Sequence, residues 1–289
     1  MRESAGSRLF QFANVIGLGL LAVVMFFPLY YVFIVSFTDP AQFLTDKTVL
    51  YPKKWSLEAY RYLFSTDAFL RSIGNSAFLA VIGTACSLAV SSSFAYALSQ
   101  RRMFGRRTLL LMVLLTLLFS PGIIPHYMLV RELGLMGSLW ALILPALANG
   151  WNVLLMKGFF DSIPAELSES AAIDGCSALR TWLSIIVPIS LPAMAAFGLF
   201  YAVGYWNQFF NALLYLQSAE QWPIQVLLQN MLLSATNTDI AASAADYTAP
   251  PTEMLKMAAV VTATAPILAV YPFLQKHFAK GSMIGSVKG

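Results

Sequence analysis

Charge is what this sequence has least of. Only 11% of its 289 residues are Asp, Glu, Lys or Arg, while 58% are hydrophobic. A soluble domain carries roughly 25% charged residues. So few charges cannot cover a water-facing surface, which points to a polytopic membrane protein. Cysteine is scarcer still. Cys86 lies inside an apolar run and Cys176 in a polar patch, so neither a disulfide nor a shared metal site is expected of them. His126 and His277 are the only histidines. There is no His-Glu-x-x-His helix, no Gly-x-x-x-x-Gly-Lys-Ser/Thr phosphate loop and no serine nucleophile elbow. An enzymatic reading therefore has almost no support, and no metal, cofactor or nucleic-acid partner is expected of this chain. A cleavable signal peptide is also missing. Arg2 and Arg8 precede an apolar run, but it is too long for a signal core and no small-x-small site closes it, so it reads as an uncleaved first span.

Six apolar segments are present, at about residues 12–37, 72–98, 108–129, 139–160, 183–209 and 257–274. About 20 apolar residues cross a bilayer as a helix, and backbone polar groups in lipid force the helical state. The expected fold is all-α: a single transmembrane domain over residues 1–289 with six transmembrane helices. Pro28, Pro121, Pro145, Pro188, Pro192 and Pro266 fall within or beside these spans and are kink candidates. The spans hold almost no carboxylate. An ion-coupled carrier keeps an ionisable group at depth, so the energy source is expected outside this chain.

Lysine and arginine set the orientation. With the N-terminus in the cytoplasm, inner segments hold eleven of the eighteen basic residues and outer segments nine of the fourteen acidic ones. Arg101, Arg102, Arg106 and Arg107 crowd one short loop, where the rule is strongest. Both termini are thus expected in the cytoplasm, with a tail at 275–289. Outside lie a polar segment at about Thr38 to Arg71, with Pro40, Pro52 and an amphipathic stretch from Trp55 to Phe64, a short loop near residues 130–138, and the longest loop, 211–256, with Trp222, Asn230 and the Pro250-Pro251 pair.

One inner stretch stands apart. Residues 164–180 include Glu169-Ser170-Ala171-Ala172-Ile173-Asp174-Gly175-Cys176. Pro164 can open a helix and Glu166 suits its first turn. Glu169, Ala172 and Ile173 share a face at i, i+3, i+4 spacing. Asp174 and Gly175 suit a turn, after which a second helix starts near Ala178. On composition alone an ordinary loop with a glycine turn accounts for it equally well.

Glu-x-Ala-x-x-Asp-Gly followed by Ile185, Pro188 and Pro192 resembles the cytoplasmic signature loop of bacterial ABC importer permeases, most closely the carbohydrate-uptake, maltose-type branch. Cys176 stands where that pattern has alanine. Trp206-Asn207-x-Phe209-Phe210 and the Lys276–Lys280 and Val287-Lys288-Gly289 terminus also look like the family's. The terminus is closest to permeases for complex oligosaccharides, including alginate importers. The resemblance implies the type I importer permease fold in a bacterial inner membrane. It implies a second permease subunit, a dimer of ATPase subunits that holds the ATP and Mg²⁺, and a solute-binding protein that delivers the sugar. Glu169, Ala171, Ala172, Ile173, Asp174 and Gly175 would seat on an ATPase subunit, with Leu167, Ala171, Ala172 and Ile173 as the apolar face. Ser286, Val287, Lys288 and Gly289 would reach the ATPase dimer interface.

Sugars present hydroxyls and apolar ring faces, so amides beside aromatics are candidate contacts. Asn149, Trp151 and Asn152 fall near the middle of the fourth span, and Tyr205, Trp206 and Asn207 at the outer end of the fifth. Interhelical hydrogen bonds by the asparagines and an interfacial belt for the aromatics are equally open. Other readings are a permease for another solute such as glycerol phosphate, a stand-alone secondary transporter, and a membrane scaffold. Among sugars, alginate oligosaccharides are the single best expectation, although no deep Lys or Arg is evident to meet an anion.

Overall fold

The computed structural model describes residues 5–46, 48–234 and 250–285, with side chains placed over 10–46, 48–233 and 250–270. The described residues are nearly all helical and contain no strand, only an isolated antiparallel bridge between Thr38 and Trp55. In chain order, α1 is Ala5–Ser36, α2 Pro40–Thr45, α3 Glu58–Ser65 and α4 Asp67–Phe78. A π-helical turn, Leu79–Gly83, joins α4 to α5, Thr84–Ser99. Then come α6 Arg106–Leu118, α7 Ile123–Glu132, α8 Trp140–Ile143, α9 Gly150–Asp161, α10 Ala165–Ile173 and α11 Ala178–Thr181. The last are α12 Val187–Ile189, α13 Leu191–Trp206, α14 Phe210–Tyr215, α15 Ile224–Ser234 and α16 Thr252–Gly285.

Three stretches are unbroken and apolar enough to cross a membrane: Phe10–Ser36, Asp67–Ser99 and Thr252–Val270. The count rises to six if each of three bent pairs is one span. The sequence expectation of continuous helices fails at those three. The third span breaks between Leu118 and Ile123 with a bend of 119°. Pro121 has no N–H to donate and pushes Ser120 out of helical geometry. The fourth bends by 48° between Ala146 and Gly150, just past Pro145. The fifth starts earlier than expected, at Ala178, and bends by 88° at Ser190, between Pro188 and Pro192. The apolar run also overshoots its end: α13 stops at Trp206, where Asn207 leaves helical geometry. The sixth begins five residues ahead of the expected 257 and so takes in Lys256.

Contacts divide the chain into two units, Met1–Asp67 with Leu228–Ala265, and Ala68–Leu227 with Pro266–Gly289. In the first, α1 stands nearly bare: only 11% of its most apolar window is buried. Past its end Phe37 stacks among Phe33, Trp55 and Tyr60, and Tyr60 Oη meets Ser36 Oγ at 2.8 Å. Burial raises the Tyr60 phenol above its ordinary pKa. Lys54 bonds the Asp39 carboxylate, which also caps the Ala41 N–H, and the carboxyl is held below its ordinary range. In the second unit α5, α9 and α13 form the centre of the core, with Leu79, Ala95, Leu98, Ile143, Val153 and Met156 almost fully buried.

Candidate functional site

Residues 164–181 fold as a tight helical hairpin. Pro164 precedes α10 in extended geometry and Glu166 sits in the first turn, where a carboxylate favours the helix dipole. The helix closes on a Schellman motif: Gly175 N–H bonds Ala172 C=O at 3.1 Å and Cys176 N–H bonds Ala171 C=O at 2.9 Å. Gly175 has φ +77°, a left-handed conformation that any L side chain resists. Ser177 then caps α11 by accepting from the Arg180 N–H at 3.4 Å. The turn carries two cap residues on either side of one glycine, so the two helices cannot merge into one.

The hairpin divides the predicted residues into two groups. Ile173 is 87% exposed and Leu179 64%, which is costly for side chains of that size. Glu169, Ala172 and Asp174 are exposed with them, and among the described residues the Glu169 carboxylate has no ion pair. Ala171 corrects the sequence reading. It is 4% exposed and turned into its own chain, so it cannot belong to the outward apolar face. The family resemblance placed it on that face with Ala172, but one helical step of about 100° separates them. Glu166, Glu169 and Ala172 also line an open cleft of about 920 Å³, with Arg101, Arg102 and Arg106 among its other walls. Arg106 Nε donates to Leu98 C=O at 2.7 Å, so one of these arginines closes the end of α5.

The six residues named for the sugar path do not act alike. Asn149 is not inside a helix. It is the N-cap of α9 at the break, its Oδ1 accepting from Trp151 N–H at 3.0 Å and Asn152 N–H at 3.3 Å. That diverts the two donors which a continuous helix would aim at the carbonyls of Leu147 and Ala148. Trp151 is 62% exposed and Asn152 half-buried. Tyr205 and Trp206 are 3% and 8% exposed, so neither forms an interfacial belt. Asn207 is exposed and accepts from Gln225 Nε2 at 3.2 Å.

Tyr205 belongs to a buried hydroxyl ladder absent from the sequence reading. Its Oη meets Ser87 Oγ at 2.8 Å and reaches Ile143 C=O at 3.4 Å. One turn away Tyr201 Oη meets Ser91 Oγ at 2.7 Å, and Ser91 Oγ donates to Leu147 C=O at 2.9 Å. Ser91 has one proton, which goes to Leu147, so Tyr201 donates to Ser91. The ladder links α5 and α13 to the carbonyls at the break in the fourth span. Lys256 was also missed. It is 5% exposed and bonds Glu253 at 3.3 Å, a buried cation at the start of the last span. The tail residues Ser286, Val287, Lys288 and Gly289 lie outside the described residues.

With this geometry in view, the comparisons with known proteins agree with one another. The family described as "binding-protein-dependent transport system inner membrane component" matches residues 106–283. The chain is 46% identical over 269 residues to the polygalacturonan/rhamnogalacturonan transport system permease protein YtcP of Bacillus subtilis, covering 93% of this chain and 94% of that protein. It is 45% identical to protein LplC of the same organism, covering 100% of this chain and 98% of LplC. A solved structure of a bacterial ABC transporter that imports the acidic polysaccharide alginate contains a chain similar to this one, with TM-score 0.88 and 30% identity. The similarity covers 96% of this chain and 99% of that one. The chain thus belongs to the binding-protein-dependent inner membrane transport components, the multi-pass permease subunits of ABC importers.

Proposed function

We propose that this chain is one of two permease halves of an importer for acidic oligosaccharides, with alginate fragments the leading cargo. Both termini lie in the cytoplasm, and ATP with Mg²⁺ binds only to separate ATPase subunits. A solute-binding protein delivers the sugar from outside. The hairpin of α10 and α11 seats on an ATPase subunit: Ile173 and Leu179 enter an apolar groove, Glu169 meets a basic residue, and Gly175 holds the turn. The observation that carries this is the Ile173 side chain, 87% exposed at the end of a helix whose fold is already closed by its own backbone. Among the described residues nothing covers this large aliphatic group. ATP-driven closure of the ATPases then rotates the spans between two access states.

The cargo rests on chemistry common to two relatives. Alginate and polygalacturonan are both chains of uronate sugars, and importers of each resemble this protein closely. The buried Lys256 is one cation in the spans that an anionic cargo could meet.

The test is a complex purified through a tag on this chain and reconstituted in liposomes with its binding protein. A second permease and an ATPase should co-purify, and ATP should drive uptake of labelled trimannuronate or trigalacturonate over maltotriose and glycerol 3-phosphate. Uptake of either of the last two in preference would overturn the cargo. Uptake by the chain alone without ATP would overturn the coupling. In the same complex Glu169→Lys should abolish uptake while the chain still inserts.

A further inference from the structure

The hydroxyl ladder has a vacancy at one end and a blank at the other. Along α5 the face toward α13 carries Thr84, Ser87, Ser91 and Ala95 at one-turn intervals. Ser87 and Ser91 are paired with Tyr205 and Tyr201, which are themselves one turn apart on α13. The pairing runs in opposite directions along the two helices, so they are antiparallel here. Thr84 Oγ1 is buried and, among the described residues, has no hydrogen-bond partner. A buried hydroxyl without a partner is costly and asks for an explanation. At the far end Ala95, 0% exposed, offers no hydroxyl at all.

We propose that α13 moves along α5 between two registers one helical turn apart, and that Thr84 is the acceptor used only in the second. If α13 shifts toward the start of α5, Tyr201 arrives at Ser87 and Tyr205 at Thr84. Both tyrosines stay bonded, and the Thr84 hydroxyl gains its partner. A shift the other way carries Tyr205 to Ser91 but Tyr201 to Ala95, which leaves a buried phenol unsatisfied. Motion therefore has a preferred direction and a defined stop. The observed register also bonds the break in the fourth span, through Ser91 to Leu147 and Tyr205 to Ile143. The shifted register replaces Tyr205 by Tyr201 beside Ser87 and Ile143, and leaves Ser91, still bonded to Leu147, without its phenol donor, which loosens the tie between α13 and the break. One-turn steps between packed helices are a known way to build two discrete states.

Gly83 supplies the clearance. A Cβ there would lie 2.8 Å from three atoms of the Tyr205 ring, so the ring lies flat against bare backbone. The π-helical turn Leu79–Gly83 just before it is already an irregular segment, of a kind frequent at functional sites. Thr84 and the tyrosines act on the translocation path by positioning the spans.

The two roles for Thr84 separate cleanly. Thr84→Val keeps the shape and removes a hydroxyl that is idle in this register. If Thr84 only packs, the change leaves activity intact. With two registers, the complex reconstituted in liposomes should lose about threefold or more of its binding-protein-stimulated ATP hydrolysis, the worth of one hydrogen bond in the population of a state. Its melting temperature should be unchanged or higher, and Thr84→Ser should restore hydrolysis. Unchanged hydrolysis in Thr84→Val overturns the proposal, as does a loss that follows a fall in melting temperature. If the wild-type complex shows no stimulation by the binding protein, it is the importer reading that fails.

Discussion

The α10–α11 hairpin and the break in the fourth span are both interruptions of a helix, and they are sealed in opposite ways. In the hairpin the freed carbonyls of Ala171 and Ala172 are taken by Cys176 and Gly175, all within six residues. The repair is local and uses only backbone, so every side chain on the outer surface remains available. At the break near Leu147 the carbonyls are taken by Ser91 and Tyr205, which lie 56 and 62 residues away from the carbonyls they meet. There the repair consumes side chains and fixes three segments together. Local closure leaves a surface for a partner, whereas distant closure leaves a core.

Substitutions should separate the two regions by what they damage. The largest effect is expected in the hairpin. Gly175→Leu forces a branched side chain into φ +77°, which costs roughly 1–2 kcal/mol locally and misdirects α11. ATP-driven uptake should fall at least about tenfold, with insertion and melting temperature of the isolated permease nearly unchanged. A comparable fall in melting temperature would show that the hairpin is part of the core after all. Next comes Gly83→Val, whose Cβ would meet the Tyr205 ring at 2.8 Å. Overpacking of this kind costs about 1–3 kcal/mol, so thermal unfolding of the permease should shift downward, and uptake should fall further than the amount of folded protein does, because the clearance for the Tyr205 ring is lost. The smallest is Tyr205→Phe, which strands the Ser87 hydroxyl and should cost about 1 kcal/mol. Circular dichroism melts would register it, and an unchanged melt would mean that the ladder is not a source of stability.

The same contrast explains what could be read from the chain itself. The hairpin was legible because its signals are adjacent: Pro164 opens, Asp174-Gly175 turns, and a second helix starts near Ala178. The placement of Glu169 and Ile173 outward follows from helical spacing, while Ala171 was placed outward by the family resemblance, which does not say which side of the helix packs on its own chain. The six apolar runs were legible from composition. Their breaks were only hinted at by Pro121, Pro145 and Pro188, since a proline marks where a helix can bend without giving the angle. The ladder was not legible because Ser87 lies 118 residues from Tyr205, and a tyrosine beside a tryptophan at the end of a span suits a sugar contact or an interfacial belt without pointing to a buried serine. Lys256 was missed because the apolar count opened the last span at 257, five residues after Thr252.

The divided fourth span also bears on how the chain is made. Its two arms are the seven residues Trp140–Ala146 and the twelve residues of α9. At 1.5 Å per residue the longer arm reaches about 18 Å, well short of the roughly 30 Å of a hydrocarbon core. Neither arm can be handed to the lipid alone, so the insertion machinery has to accept both together. Ser91 is already in place when they emerge, but Tyr205 is synthesised later than either. A ribosome paused between Asp161 and Tyr205 holds in the bilayer a segment whose seal is half built, and completing the fifth span is what finishes the fourth.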